Sequence, residues 1–220
     1  MCGRFTLFAS PETIQAEFDL SEVPAHLTPR YNIAPTQAVA VIANHAERRL
    51  ELFQWGLIPS WAKDPSIGSR MINARAETLA EKPSFRTALR KRRCLILADG
   101  FYEWRKDSGG KTPFFIHLRS GRPFALAGLW EVWQTPDGVA LPTCTIITTG
   151  PNSLVAALHD RMPVILPPDA YARWLDPEPQ APADLAPLLV SYPADKMNLY
   201  AVSRAVNSPA NDSPVCVERV

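Results

Sequence analysis

The residue with the most unusual chemical potential in this sequence is Cys2. Removal of Met1, expected when the second residue is small, leaves Cys2 with an α-amine and a thiol on adjacent carbons. In unstructured peptides these groups titrate at about 7.7–8.0 and about 8.5, so a reactive fraction of each exists near neutral pH. The cation of Arg4 would favour the thiolate. Such a 1,2-aminothiol condenses with an aldehyde through its nitrogen, then closes a five-membered thiazolidine ring through its sulfur. An internal cysteine, whose nitrogen is an amide, cannot. A cysteine at a frayed chain end is more often incidental, and position alone favours that reading.

Three further segments shift the balance. Residues 71–78 pack Asn73, Arg75 and Glu77 into a stretch with weak helical or strand periodicity. Residues 99–104 follow a continuous apolar run, which predicts Glu103 at a strand end among Phe101, Tyr102 and Trp104. A carboxyl partly desolvated there would titrate high and suit proton transfer. His159 lies between a short predicted helix and a predicted strand, next to Asp160 and Arg161, whereas His26, His45 and His117 have no such surroundings. Each segment alone is more often structural than catalytic; their joint appearance carries the argument.

The other cysteines, Cys94, Cys144 and Cys216, read as small core residues. They form no Cys-x-x-Cys pair and have no histidine at ligand spacing, so neither a metal site nor a cofactor is expected.

To position these groups the chain has 220 residues, 46% hydrophobic and 20% charged, enough for one sizeable core and too short for two comfortable domains. A single domain over 1–220 is expected. No apolar run approaches the ~20 residues of a membrane helix, and the start has no leader-like stretch, so a cytoplasmic protein is expected; with no long apolar patch or heptad, a monomer is expected. Net charge is only +1, but residues 60–93 hold nine Lys/Arg against three acids. That excess could track phosphates, although Arg86 to Arg93 alone reads as a solvated helix face.

Pattern and turn residues predict a helix opened by Ser10 and Pro11, with Ile14 and Phe18 inward. Strands are predicted at 39–43, 50–55, 94–98, 114–118, 124–130, 143–149, 163–166, 199–203 and 215–218. Helices are predicted at 84–92, 152–158 and 169–175, and a surface excursion at 178–187. Helices and strands do not alternate, which argues against a doubly wound parallel sheet. The fold class read here is α+β: one domain with a curved, mostly antiparallel, barrel-like β core and short flanking helices.

Seven segments, in order over nearly the whole chain, carry a resemblance. They are Met1-Cys2-Gly3-Arg4-Phe5, Arg30-Tyr31-Asn32-Ile33-Ala34-Pro35-Thr36, Trp55-Gly56-Leu57-Ile58-Pro59-Ser60-Trp61, Asn73-Ala74-Arg75-Ala76-Glu77-Thr78, Ala98-Asp99-Gly100-Phe101-Tyr102-Glu103-Trp104, His159-Asp160-Arg161-Met162-Pro163 and Val202-Ser203-Arg204-Ala205-Val206-Asn207. This set resembles the SOS response-associated peptidase (SRAP) family.

The resemblance implies a single α+β domain with a basic DNA groove. It implies an activity that joins the N-terminal cysteine covalently, as a thiazolidine, to abasic sites in single-stranded DNA and so shields the lesion. Its catalytic positions fall on Cys2, Asn73, Glu103 and His159. Its DNA contacts fall on Arg4, Arg75, Arg161 and a strand-wedging Trp61. Some members place a second tryptophan directly after the wedge, where this chain has Ala62 and then a loop, 63–70. An imine on the route also permits β-elimination, hence weak lyase activity. Two other readings stay open: a cysteine peptidase using Cys2, His159 and Glu103, and a non-catalytic single-strand binder using residues 60–93 and Trp61.

Overall fold

The computed structural model describes residues 2–24, 27–45 and 47–220. Met1, whose removal is expected, and His26 lie outside the described residues. Thirteen strands and four short helices are defined among them: β1 (Phe5–Leu7), α1 (Pro11–Phe18), β2 (Arg30–Ile33), β3 (Ala38–Ala43), β4 (Leu50–Trp55), β5 (Asn73–Arg75), α2 (Arg86–Lys91), β6 (Arg93–Ala98), β7 (Gly100–Asp107), β8 (Gly110–Leu118), β9 (Phe124–Gln134), β10 (Ala140–Thr149), β11 (Met162–Pro163), β12 (Ile165–Leu166), α3 (Tyr171–Trp174), α4 (Pro182–Leu185) and β13 (Met197–Ala201).

The longest apolar runs make the centre. β10, β4, β3, β6 and β9 pair in that order, and β9 pairs back onto β10, closing a five-stranded barrel. A ring with an odd number of strands cannot alternate throughout, and the one parallel contact in it is β4–β10. All six residues of β6 are buried, as a strand covered on both faces requires. Gly128, opposite Cys94, lets β9 approach β6: a Cβ there would lie 2.8 Å from the Cys94 sulfur. The expected α+β, barrel-centred domain is the observed one.

A second sheet, in the order β13-β8-β7-β1-β2, is antiparallel throughout and leans on the barrel. Phe5 packs edge-on against Trp55 of the barrel, ring centroids 5.1 Å apart. The buried carboxylate of Asp99, between β6 and β7, accepts the backbone N–H groups of Phe8 and Ala9 and ties the N-terminal strand down. Gly56, at φ +125°, faces Gly68 so closely that a Cβ on either would fall within 3 Å of the other's carbonyl oxygen. That contact holds the 56–71 loop against the barrel.

The α1 reading is observed, with Ser10 Oγ accepting the Thr13 N–H and both Ile14 and Phe18 buried. Several elements differ from expectation. Residues 178–187 are not merely a surface excursion, because they contain α4, whose Leu185 is fully buried. Pro214 opens a 3-10 turn over Pro214–Val217 in place of the predicted strand, leaving a single bridge, Val202 to Arg219. Within 152–158 only Val155–Ala157 is helical, as a 3-10 turn.

The predicted strand 163–166 splits at Val164, where the chain crosses from β10 to β9. Val164 donates to Ile147 O and accepts from Ala127 N. Arg93, counted among the basic surface residues, is buried. Its guanidinium donates to the carbonyls of Leu89, Arg90, Trp174, Asp176 and Glu178, collecting the unsatisfied ends of α2 and α3. No described helix is long and apolar enough to cross a membrane.

Candidate active site

The site is assembled from four segments distant in sequence, beginning with strand register. β1 pairs with β7 at Phe5–Phe101 and Thr6–Gly100, and the Tyr102 N–H donates to Arg4 O at 3.0 Å. Continued back, the same antiparallel register sets Gly3 opposite Glu103, and Cys2, next to Gly3, lies close enough for the Glu103 charge to act on its thiol. Asn73, on β5, donates from Nδ2 to the Cys2 carbonyl at 2.8 Å. β5 is fixed in turn by parallel pairing with β10, Asn73 opposite Ile146. Cys2 is therefore fully buried and held at both backbone and flank, not frayed.

This burial changes the thiol's chemistry. Desolvation pushes the Cys2 thiol well above its ordinary range, and the nearby Glu103 carboxylate pushes it further. The expectation that Arg4 would favour a thiolate does not hold. The Arg4 guanidinium binds Asn32 Oδ1 at 2.8 Å, Val206 O at 2.7 Å and Asn207 O at 3.3 Å. It serves the C-terminal loop.

Glu103 lies in the middle of β7, not at a strand end, and is 3% exposed. Burial raises its carboxyl above the usual range, with His159 among the groups opposing the shift. The direction agrees with the sequence argument; the cause is deeper burial than a strand end would supply. On the Asn73 side chain, Oδ1 is buried and accepts no hydrogen bond from the described residues.

His159 follows the Val155–Ala157 turn, its N–H bonded to Val155 O at 3.0 Å. Its Nδ1 accepts the Arg161 N–H at 3.0 Å and also stands 2.8 Å from Asp160 Oδ1. These two contacts want opposite protonation of one nitrogen. The turn fixes the backbone donor, whereas Asp160 is 88% exposed and shares its carboxylate with water.

The sequence-derived DNA contacts fall into two kinds. Arg75 is exposed on β5, on the same side as Asn73 two residues before it, and Trp61 is 62% exposed. Arg4 and Arg161 are engaged within the protein. Arg161 forms a two-pronged pair with Glu77, at 2.7 and 2.9 Å, and donates to Thr148 O. Among the described residues no three His, Cys, Asp or Glu side chains gather as a metal site.

Glu103 and His159 open into a cavity of about 840 Å³, which Trp104, Asn207 and the cationic Arg105, Lys106 and Lys111 also line. Asn207 accepts from Trp104 Nε1 at 2.8 Å. Its loop is held by Asn32, whose Nδ2 donates to Val206, Ser208 and Asn211 carbonyls, and by Asp212, which accepts the Asn32 N–H at 2.9 Å. Neither Asn32 nor Asp212 was assigned a role from sequence. The only signal for Asn32 was a polar residue within the quoted 30–36 segment, and Asp212 gave none.

Comparison with known proteins matches the SOS response associated peptidase (SRAP) family over residues 1–209. The chain is 51% identical over 222 residues to the abasic site processing protein YoqW of Bacillus subtilis, covering 99% of each. It is 36% identical to the abasic site processing protein HMCES of Gallus gallus, covering 86% of this chain and 66% of that one. A crystal structure from Bacteroides thetaiotaomicron superposes with a TM-score of 0.89 at 29% identity, both chains covered completely. Another, from Bordetella bronchiseptica, gives 0.78 at 29% identity over 92% of this chain.

Proposed function

Because the chain belongs to the SOS response associated peptidase family, we propose that it processes abasic sites in single-stranded DNA by linking Cys2 to the lesion as a thiazolidine. The observation that carries this reading is the Asn73–Cys2 hydrogen bond, which holds the start of the chain beside a buried carboxyl. Relatives named abasic site processing proteins support the substrate class.

The chemistry starts with loss of Met1, which frees the Cys2 amine. The ring-opened deoxyribose offers an aldehyde at C1′. The amine adds to that carbon, one of its protons passing to the oxygen, and Glu103 delivers the proton with which the resulting hydroxyl leaves as water, giving a protonated imine. Glu103 is now a carboxylate beside the thiol. It takes the thiol proton as sulfur adds to the imine carbon, and the nitrogen keeps its one proton. Aldehyde and aminothiol become thiazolidine and one water.

A buried thiol needs such a base, because its own ionisation is suppressed. His159 passes a proton to the departing sugar oxygen during ring opening, as the C1′ hydroxyl gives up its own. Arg75 and Arg161 take flanking phosphates, a positioning role without sequence information. Trp61 offers a stacking face to a base.

The test is a denaturing gel of processed protein with abasic single-stranded DNA. A shifted band that vanishes with Cys2→Ala supports the proposal. Failure of the wild type to give that band ends it. A variant with one non-removable residue before Cys2 separates the peptidase reading, which needs only the thiol, from the crosslink, which needs the free amine as well.

A further inference from the structure

Beyond Trp104 the β7–β8 hairpin leaves its neighbours. β13 pairs with β8 only along Phe114–Leu118, and β1 meets β7 only near Gly100, Phe101 and Tyr102. Residues 105–112 therefore form a two-stranded ribbon whose ladder partners are one another: Arg105 opposite Thr112, Lys106 opposite Lys111. Both lysines are exposed, and both line the cavity that holds Glu103 and His159.

Two like charges directly opposite on an antiparallel pair repel and weaken the ribbon. Among the described residues neither lysine has an ion-pair partner to relieve this. Lys106 and Lys111 are both on the cavity side of the molecule, so an anion arriving there meets two ammonium groups at once. Phosphates placed against them would relieve the repulsion.

We propose that this ribbon is a phosphate-binding arm, on which Lys106 and Lys111 hold consecutive phosphates of the polynucleotide strand leaving the lesion cavity. The inference rests on the DNA-processing reading above. Lysine acts here as a point charge on the backbone, so the arm adds affinity without selecting bases.

The experiment measures equilibrium binding of a single-stranded oligonucleotide carrying a tetrahydrofuran abasic analogue, which has no aldehyde and cannot crosslink, across a salt series. Each phosphate contact on single-stranded nucleic acid contributes about 0.7 to the slope of log K against log salt, so the pair accounts for about 1.4. The K106Q/K111Q variant is expected to bind several-fold more weakly at physiological salt, with the slope shallower by about that amount. It should melt no lower than the wild type, since a like-charge contact has been removed. K106R/K111R, which keeps both charges, should retain the wild-type slope. A wild-type slope in K106Q/K111Q overturns the arm while leaving the crosslinking proposal intact. Absence of any binding by the wild type overturns both.

Discussion

Asn73 Nδ2 donates to the carbonyl oxygen of Cys2 across 2.8 Å, so a side chain on a barrel-paired strand sets the position of the second residue of the chain. The bond spans 71 residues of sequence. It converts a chain end, ordinarily the most mobile part of a domain, into a fixed part of the site.

If that bond positions the nucleophile, Asn73→Ala should slow crosslinking to abasic single-stranded DNA by about 10²-fold, the cost of a misplacement near 1 Å. Asn73→Asp, which keeps the shape but loses the donor, should be nearly as slow. Time-resolved denaturing gels read both rates. A wild-type rate in Asn73→Ala would show that the N-terminus is held by other means.

Glu103 allows a pH test whose sign is fixed. Burial raises its carboxyl, so the folded protein holds that proton more tightly than the unfolded chain does. The stability this contributes is complete below the ordinary carboxylate range and is lost as pH rises through the folded titration. Glu103→Gln, neutral at all pH, should therefore melt above the wild type at about pH 8 and approach it near about pH 4. Crosslinking by this variant should be slower throughout. Melting curves across pH test the first claim, and a variant less stable than the wild type at the alkaline end would refute it.

Glu77 competes for Arg161. Its carboxylate lies below the usual range because Arg161 hydrogen-bonds it, and a phosphate must displace it. Glu77→Gln should tighten binding of single-stranded DNA a few-fold, because the phosphate no longer has to displace a carboxylate from Arg161. An anisotropy titration reads the affinity, and an unchanged affinity would mean that Arg161 stays with the protein.

Arg93 is the counter-example among the basic residues. Arg93→Leu should destabilise the fold by about 3 kcal/mol or more, since it strands the buried carbonyls of Leu89 and Trp174 without a donor. The DNA salt slope should not move. Urea denaturation gives the first quantity, and the same binding series gives the second.

Much of the barrel was legible in the chain. The strands read at 39–43, 50–55, 94–98, 124–130 and 143–149 each fall within a barrel strand, and 39–43 and 94–98 are apolar throughout because they are covered on both faces. The short strands that carry the site were not. β1, β5 and β7 hold Thr6, Asn73, Arg75 and Glu103 among their apolar residues. Their periodicity is weak because they are chosen by what they pair with and not by a face of their own.

By itself the sequence determined which groups exist: an aminothiol at the start once Met1 is gone, a carboxyl among aromatics, and a histidine in a turn. Family membership was readable from seven ordered segments. Only the tertiary structure decided which of these groups meet and which charges are available. It brought Cys2 close to Glu103, tied Arg4 to the C-terminal loop, paired Arg161 with Glu77 and buried Arg93. The physical reason is that pairing register and desolvation are long-range properties. A charge's neighbours 30, 80 or 200 positions away leave no mark on the residues beside it.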